Sequence, residues 1–189
     1  MIDVANWNKT FKKYPITVED KGWVYGVWYC GTSFQKVKLY GQYPPGFLKR
    51  ALALFPDVAE DRILHCPSGT LTGPGMTVDF HKNEIQIPKV QASADVLPFD
   101  DNSFDLILSD PPYSKEDSLK YNCAPFPMRG FMKEARRVGT PNCYLGILHT
   151  RYPSYHRSQW ALKGLIAVIT GFERATRIFS IFQSTKELS

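Results

Sequence analysis

The sequence predicts an α/β fold: a mostly parallel sheet with a C-terminal antiparallel hairpin, preceded by an N-terminal β-hairpin. Three observations predict it. Short runs rich in Ile, Leu and Val recur through the middle of the 189-residue chain, separated by loops or one helical pattern. The last two runs, 164–170 and 176–183, are close enough in sequence to pair antiparallel. The first fifty residues are different: they hold Trp7, Trp23, Tyr25, Trp28, Tyr29, Tyr40 and Tyr43.

Taken in order, residues 22–30 form an apolar and aromatic run. After the turn-like Gly31-Thr32-Ser33, residues 34–39 alternate, with Val37 and Leu39 inward and Lys36 and Lys38 outward. The two segments read as the arms of the N-terminal hairpin. Pro44-Pro45-Gly46 breaks the chain. Residues 47–55 then place Phe47, Leu48, Ala51, Leu52 and Phe55 at helical spacing, and Pro56 ends the pattern. This divides the chain into an aromatic-rich extension, 1–46, and a main domain, 47–189.

The main domain opens with a short strand, Ile63-Leu64-His65-Cys66. Residues 76–80 form a second, 90–94 a weaker third and 104–109 a fourth. Residues 127–138 form a helix with Met128, Phe131, Met132 and Ala135 on one side, and 143–148 form the fifth strand. The connections 67–75 and 81–89 are short for parallel crossovers, which take about a dozen residues or more. Two crossover helices are therefore expected to be missing or reduced to loops. One sheet face would be partly bare, to be covered by the N-terminal segment or by the second copy of a homodimer.

Composition bounds the function. The chain is 43% hydrophobic and 22% charged, near the average for a globular protein. It has no apolar run near the roughly 20 residues of a membrane helix, and no signal-peptide start. The expectation is a soluble, cytoplasmic protein without a membrane partner. Cys30, Cys66, Cys123 and Cys143 form no Cys-x-x-Cys pair, and the four histidines complete no metal spacing. They read as small buried hydrophobes, with neither metal nor disulfide. A net charge of +5 permits an anionic partner such as nucleic acid.

The most specific signal is Asp110-Pro111-Pro112-Tyr113, directly after the fourth strand. Ligands of open α/β sheets bind beyond the carboxyl ends of strands. The two prolines have fixed φ and no amide hydrogen, so the backbone there offers carbonyl acceptors. Asp110 adds a carboxylate acceptor and Tyr113 a flat surface. Together they suit a planar ring bearing an exocyclic NH2: acceptors hold both amine hydrogens and the aromatic stacks on the ring. Fixing the hydrogens favours a pyramidal nitrogen and exposes its lone pair. The catalysis would come from orientation and preorganised acceptors. Asp79 ends the second strand, where an acid commonly holds a ribose hydroxyl, and Asp95 follows the third. Each could be a strand-end cap; three acids at successive strand ends point to one site.

The stretch 62–148 resembles the class I methyltransferases that use S-adenosylmethionine. Asp110-Pro111-Pro112-Tyr113 is similar to the catalytic motif of amino-methyltransferases acting on adenine in DNA or RNA, and the run 40–182 resembles small phage and prokaryotic proteins of this kind. The resemblance implies a Rossmann-like fold with a seven-stranded sheet, S-adenosylmethionine as cofactor, and nucleic acid as partner, DNA ahead of RNA. It implies that Asp79 binds the cofactor ribose and that Asp95 and Val96 contact the cofactor adenine. Asp110 and the Pro111 carbonyl would hold the target amine beside Pro112, and Tyr113 would stack on the base. Tyr43 and Pro44 would flank the methionine end of the cofactor, although a turn before a helix explains them equally well. The alternatives are an RNA or protein-amide acceptor, or a non-catalytic binding module.

One departure stands out. The family's loop reads acidic-x-Gly-x-Gly-x-Gly, and here it is His65-Cys66-Pro67-Ser68-Gly69-Thr70-Leu71. Only Gly69 remains of the three glycines, and His65 replaces the acid. His65, Pro67, Ser68 and Gly69 are the cofactor-loop candidates, with a structural role for His65 the alternative. No insertion of domain size supplies target recognition. Residues 114–126 could form a lid, and Lys133, Arg136, Arg137, Arg151, His156 and Arg157 could meet phosphates.

Overall fold

The computed structural model describes residues 1–19, 22–31, 42–82, 87–120, 124–171 and 176–187. The strands are β1 (Ile16–Val18), β2 (Val24–Tyr29), β3 (Ile63–His65), β4 (Met76–Asp79), β5 (Val90–Gln91), β6 (Phe104–Ser109), β7 (Gly139–His149), β8 (Trp160–Ile169) and β9 (Arg177–Ser184). The helices are α1 (Val4–Thr10), α2 (Phe47–Ala53), α3 (Lys115–Lys120) and α4 (Met128–Val138). Among the described residues the strands make one nine-stranded sheet in the order β1-β2-β8-β9-β7-β6-β3-β4-β5. The block β5-β4-β3-β6-β7 is parallel, and β9 inserts antiparallel between β7 and β8. This is the mostly parallel sheet with a C-terminal antiparallel pair that the sequence predicts.

An N-terminal hairpin is present: β1 pairs antiparallel with Val24 to Gly26 on one edge of β2, and β8 pairs parallel along the other edge. The expected arm 34–39 lies outside the described residues. The sheet extends at this edge because Val24 to Tyr29 pair residue for residue with Gly164 to Ile169. Gly26 and Gly164 permit it: a Cβ on Gly26 would lie 2.8 Å from Ile16, and one on Gly164 would lie 2.7 Å from the Val24 carbonyl.

Alternation along the strands splits the core in two. Leu106 and Leu108 of β6 face a cluster with Trp7, Trp28, Phe47, Ala51 and Phe179, while Ile107 faces Phe131, Ala135 and Trp160 on the other side; Phe104 joins that second cluster across a register irregularity before Leu106. The N-terminal segment does cover a face, through α1, beside α2 of the main domain. Trp7 is fully buried, stacks on Trp28 at 5.4 Å and donates its indole N–H to the Arg50 carbonyl. The bare region is on the opposite face of the added edge, where Tyr25, Val27 and Tyr29 are exposed.

The connection from β3 to β4 contains no helix, and neither does the one from β5 to β6; residues 83–86 of the β4–β5 connection lie outside the described residues. A side chain on α4 secures the β5–β6 loop. Arg137 donates to the Leu97 and Phe99 carbonyls at 2.8 and 2.7 Å, to Asp101 at 2.9 Å, and through Nε and Nη2 to Glu134. All five guanidinium hydrogens are thereby engaged, so Arg137 is a brace rather than the phosphate contact the sequence suggested. Cys30, Cys66 and Cys143 are buried free thiols, and burial pushes their pKa values up; Cys123 lies outside the described residues. No helix among the described residues is long and apolar enough to cross a membrane.

Candidate functional site

The carboxyl ends of β3, β4, β5 and β6 open on one cavity of about 330 Å³. Pro67, Gly69, Asp79, Asp95 and all of Asp110-Pro111-Pro112-Tyr113 line it. Parallel pairing brings these residues together, because it sets the carboxyl ends of β3, β4, β5 and β6 side by side on one edge of the sheet.

At one end lies Asp79, only 6% exposed. Its Oδ2 accepts the Gly69 amide at 2.8 Å and its Oδ1 the His81 amide at 3.1 Å. Gly69 has φ +55°, a conformation that favours glycine. The carboxylate thus stands in for part of a glycine-rich loop, pinning the backbone of a loop with one glycine. Each oxygen has capacity for about one further donor. Asp95 is exposed, and its Oδ1 accepts the Ser93 hydroxyl at 2.5 Å. A Cβ on Gly130, in the first turn of α4, would meet the Asp95 Cβ at 2.5 Å. Glycine there lets the helix seat the Asp95 segment.

At the other end lies Asp110, its side chain 10% exposed. The Tyr113 hydroxyl donates to its Oδ1, and an Arg177 Nη1 stands 3.6 Å from its Oδ2. Burial pushes the Asp110 pKa up to about 6, against the opposing pull of Arg177 and the Tyr113 hydrogen bond. The Arg177 guanidinium also sits over the Tyr113 ring, 5.1 Å from its centroid, and His149 packs edge-on to that ring at 5.0 Å.

The remaining candidates do not line the cavity. His65 is buried behind it, with Nδ1 3.3 Å from the Tyr43 hydroxyl. Burial lowers the His65 pKa to about 4 and, with Asp110 and Cys66 nearby, raises that of Tyr43 well above the ordinary phenol value. Pro44 accepts the Phe47 amide at the start of α2. Ser68 is buried, with its amide bonded to the Val78 carbonyl, and Val96 is 70% exposed.

Arg177 is the site residue that sequence reading missed. Its signal is parity: along β9 it falls in step with the core residues Phe179 and Ile181, so a charge occupies the core-facing register. Phe126 and Gln42 also line the cavity.

No protein-family model matches the chain, and no curated protein matches it in sequence. Solved structures do match. TrmN from Thermus thermophilus aligns with a TM-score of 0.51 at 19% identity, over 78% of this chain and 51% of TrmN. The chain thus spans about half the length of that protein. YhhF of Escherichia coli, which carries the name of a methyltransferase, aligns with a TM-score of 0.51 at 11% identity, over 81% of this chain and 93% of its own. The strand order, the antiparallel insertion of β9 and these alignments lead to one conclusion: the chain has the class I methyltransferase fold.

Proposed function

We propose that the protein is an S-adenosylmethionine-dependent methyltransferase acting on an exocyclic amine, with adenine in DNA as the favoured acceptor. The observation that carries this reading is the single cavity joining Asp79 and Asp95 to Asp110-Pro111-Pro112-Tyr113.

The residues fit the cofactor. Asp79 is a fixed acceptor with capacity left for ribose hydroxyls, Gly69 keeps the loop backbone close, and Asp95, which lines the same cavity, would face the adenine. When bound, S-adenosylmethionine supplies an activated methyl group on a cationic sulfonium. This chain's part is to hold the acceptor. Asp110 and the Pro111 carbonyl take the amine hydrogens, which localises the nitrogen lone pair. The two prolines keep those acceptors from reorganising, and Tyr113 supplies the aromatic wall. With a pKa of about 6, Asp110 is ionised at neutral pH, as an acceptor must be.

A second reading is a non-catalytic binding module. The observation favouring it is that both Asp110 oxygens already face partners, Tyr113 and Arg177. Titration calorimetry with S-adenosylmethionine, followed by tritiated methyl transfer to DNA, RNA and protein pools, tests both readings. Cofactor binding with label in DNA is expected. Absence of binding at millimolar cofactor would overturn the enzyme reading in favour of the module. Label in RNA or protein alone would keep the enzyme and replace the acceptor.

A further inference from the structure

A second cavity, about 750 Å³, lies against the target end of the first. Its floor is apolar, formed in part by Met132 and the buried Trp160. Its rim carries Arg129 and Lys133 from α4 and Arg151 from the segment after β7, all exposed. Arg129 and Lys133 are four residues apart and share one helix face. No Asp or Glu lines this groove, and among the described residues none of the three cations has a carboxylate within ion-pair distance. Arg137, on the same helix, shows the contrast, since every one of its hydrogens is engaged within the fold. Tyr152, 53% exposed, adds an aromatic surface at the rim.

The two cavities share a wall. His149 lines the groove, and its ring packs on Tyr113, which lines the first cavity. The Arg151 amide donates to His149 Nδ1 at 3.1 Å, so the backbone of this rim cation is anchored to the wall.

We propose that this groove binds a single nucleic-acid strand, with phosphates on Arg129, Lys133 and Arg151 and a flanking base stacked on Tyr152, so that the target base enters beside His149. This rests on the methyltransferase reading and specifies its substrate as a single strand or an extruded nucleotide. Unpaired cations over an apolar floor with an exposed aromatic are what a sugar-phosphate backbone with unstacked bases requires. Base extrusion suits a chemistry that cannot reach its atom inside a duplex.

Fluorescence anisotropy with labelled single-stranded DNA, single-stranded RNA and duplex DNA tests the proposal across a salt series. Three phosphate contacts predict a slope of log K against log salt of about −2 on a single strand. Arg129→Gln, Lys133→Gln and Arg151→Gln should each reduce that slope by about 0.7. Tyr152→Ala should weaken binding about tenfold with the slope unchanged. Lys49→Gln, on α2 across the sheet, is the control and should change nothing. The DNA and RNA arms decide which strand is held. Binding with this signature but no methyl transfer would keep the groove and overturn the enzyme reading. Methyl transfer to a protein or free base without oligonucleotide binding, or a slope indifferent to all three substitutions, would overturn the groove.

Discussion

The two ends of the cavity hold buried acids in opposite circumstances. Asp79 receives two backbone amides, at 2.8 and 3.1 Å, from segments of its own strand end and the neighbouring loop. Asp110 receives a phenol three residues away and faces a guanidinium at 3.6 Å from β9. Backbone donors are built in once the strands pair, so Asp79 braces the fold as well as facing the cavity. Asp110 depends on side chains, which can exchange for a ligand, and burial keeps its pKa up at about 6. The Asp79 end is therefore rigid and the Asp110 end is exchangeable.

The largest expected effect comes from breaking the exchangeable end. Asp110→Ala should lower methyl transfer by about 10²- to 10³-fold, the usual scale for losing one preorganised partner. Calorimetry should find cofactor affinity little changed. Equal losses in affinity and rate would mean that the two ends are not separate.

Asp79→Ala breaks the rigid end. It orphans two amides in a buried site, at a cost of about 2 kcal/mol. For a chain of this length that is a fall in Tm of about 4–8 °C. A melt matching the wild type would show that the amides find other partners.

A smaller effect sharpens the comparison through pH. Transfer needs ionised Asp110, so the rate should fall as pH drops through about 6. Arg177 opposes the upward shift, so Arg177→Gln should move that acid limb to higher pH. An unmoved limb would remove Arg177 from the site.

A last test reads stability against pH, where the two groups largely offset each other. Asp110 is raised to about 6, so the folded state holds its proton longer than the unfolded chain and loses stability as pH rises from about 4 to 6. His65 is lowered to about 4, so it contributes stability that is lost as pH falls from 6.5 toward 4. The two slopes oppose each other. Relative to wild type, His65→Gln should gain Tm as the pH is lowered through this window, and Asp110→Asn should gain as it is raised. Parallel curves for all three proteins would refute both assignments.

How much of this was legible beforehand follows from contact range. Strand β6 matches its predicted bounds because a short apolar run, Leu106-Ile107-Leu108, declares a strand buried on both faces, and α4 repeats its apolar positions over eleven residues. The seven-residue α1 buries only Trp7, too little to show a period, and β1 is three residues long. The pairing of β1 with β2 is not legible, since a three-residue strand shows no alternation; the 34–39 arm lies outside the described residues. The acids Asp79 and Asp110 are legible as strand ends, whereas Asp95 stands in the loop after β5, which is Val90–Gln91 rather than 90–94. The Arg177 contact is not legible, since it depends on β9 inserting between β7 and β8, a pairing no local pattern encodes. His65 was marked for the cofactor by position alone. Its pairing with Tyr43 needed the tertiary approach of a loop twenty-two residues away.

The Arg137 brace has a consequence for assembly. The segment leading from Asp95 is fastened at Leu97 to a side chain forty residues downstream. That wall of the pocket cannot take shape until α4 has docked. A nascent chain lacking that helix would carry the Asp-Pro-Pro-Tyr corner already, yet have no finished vestibule beside it. Cofactor affinity of such fragments would then report the arrival of one guanidinium rather than the completion of the sheet.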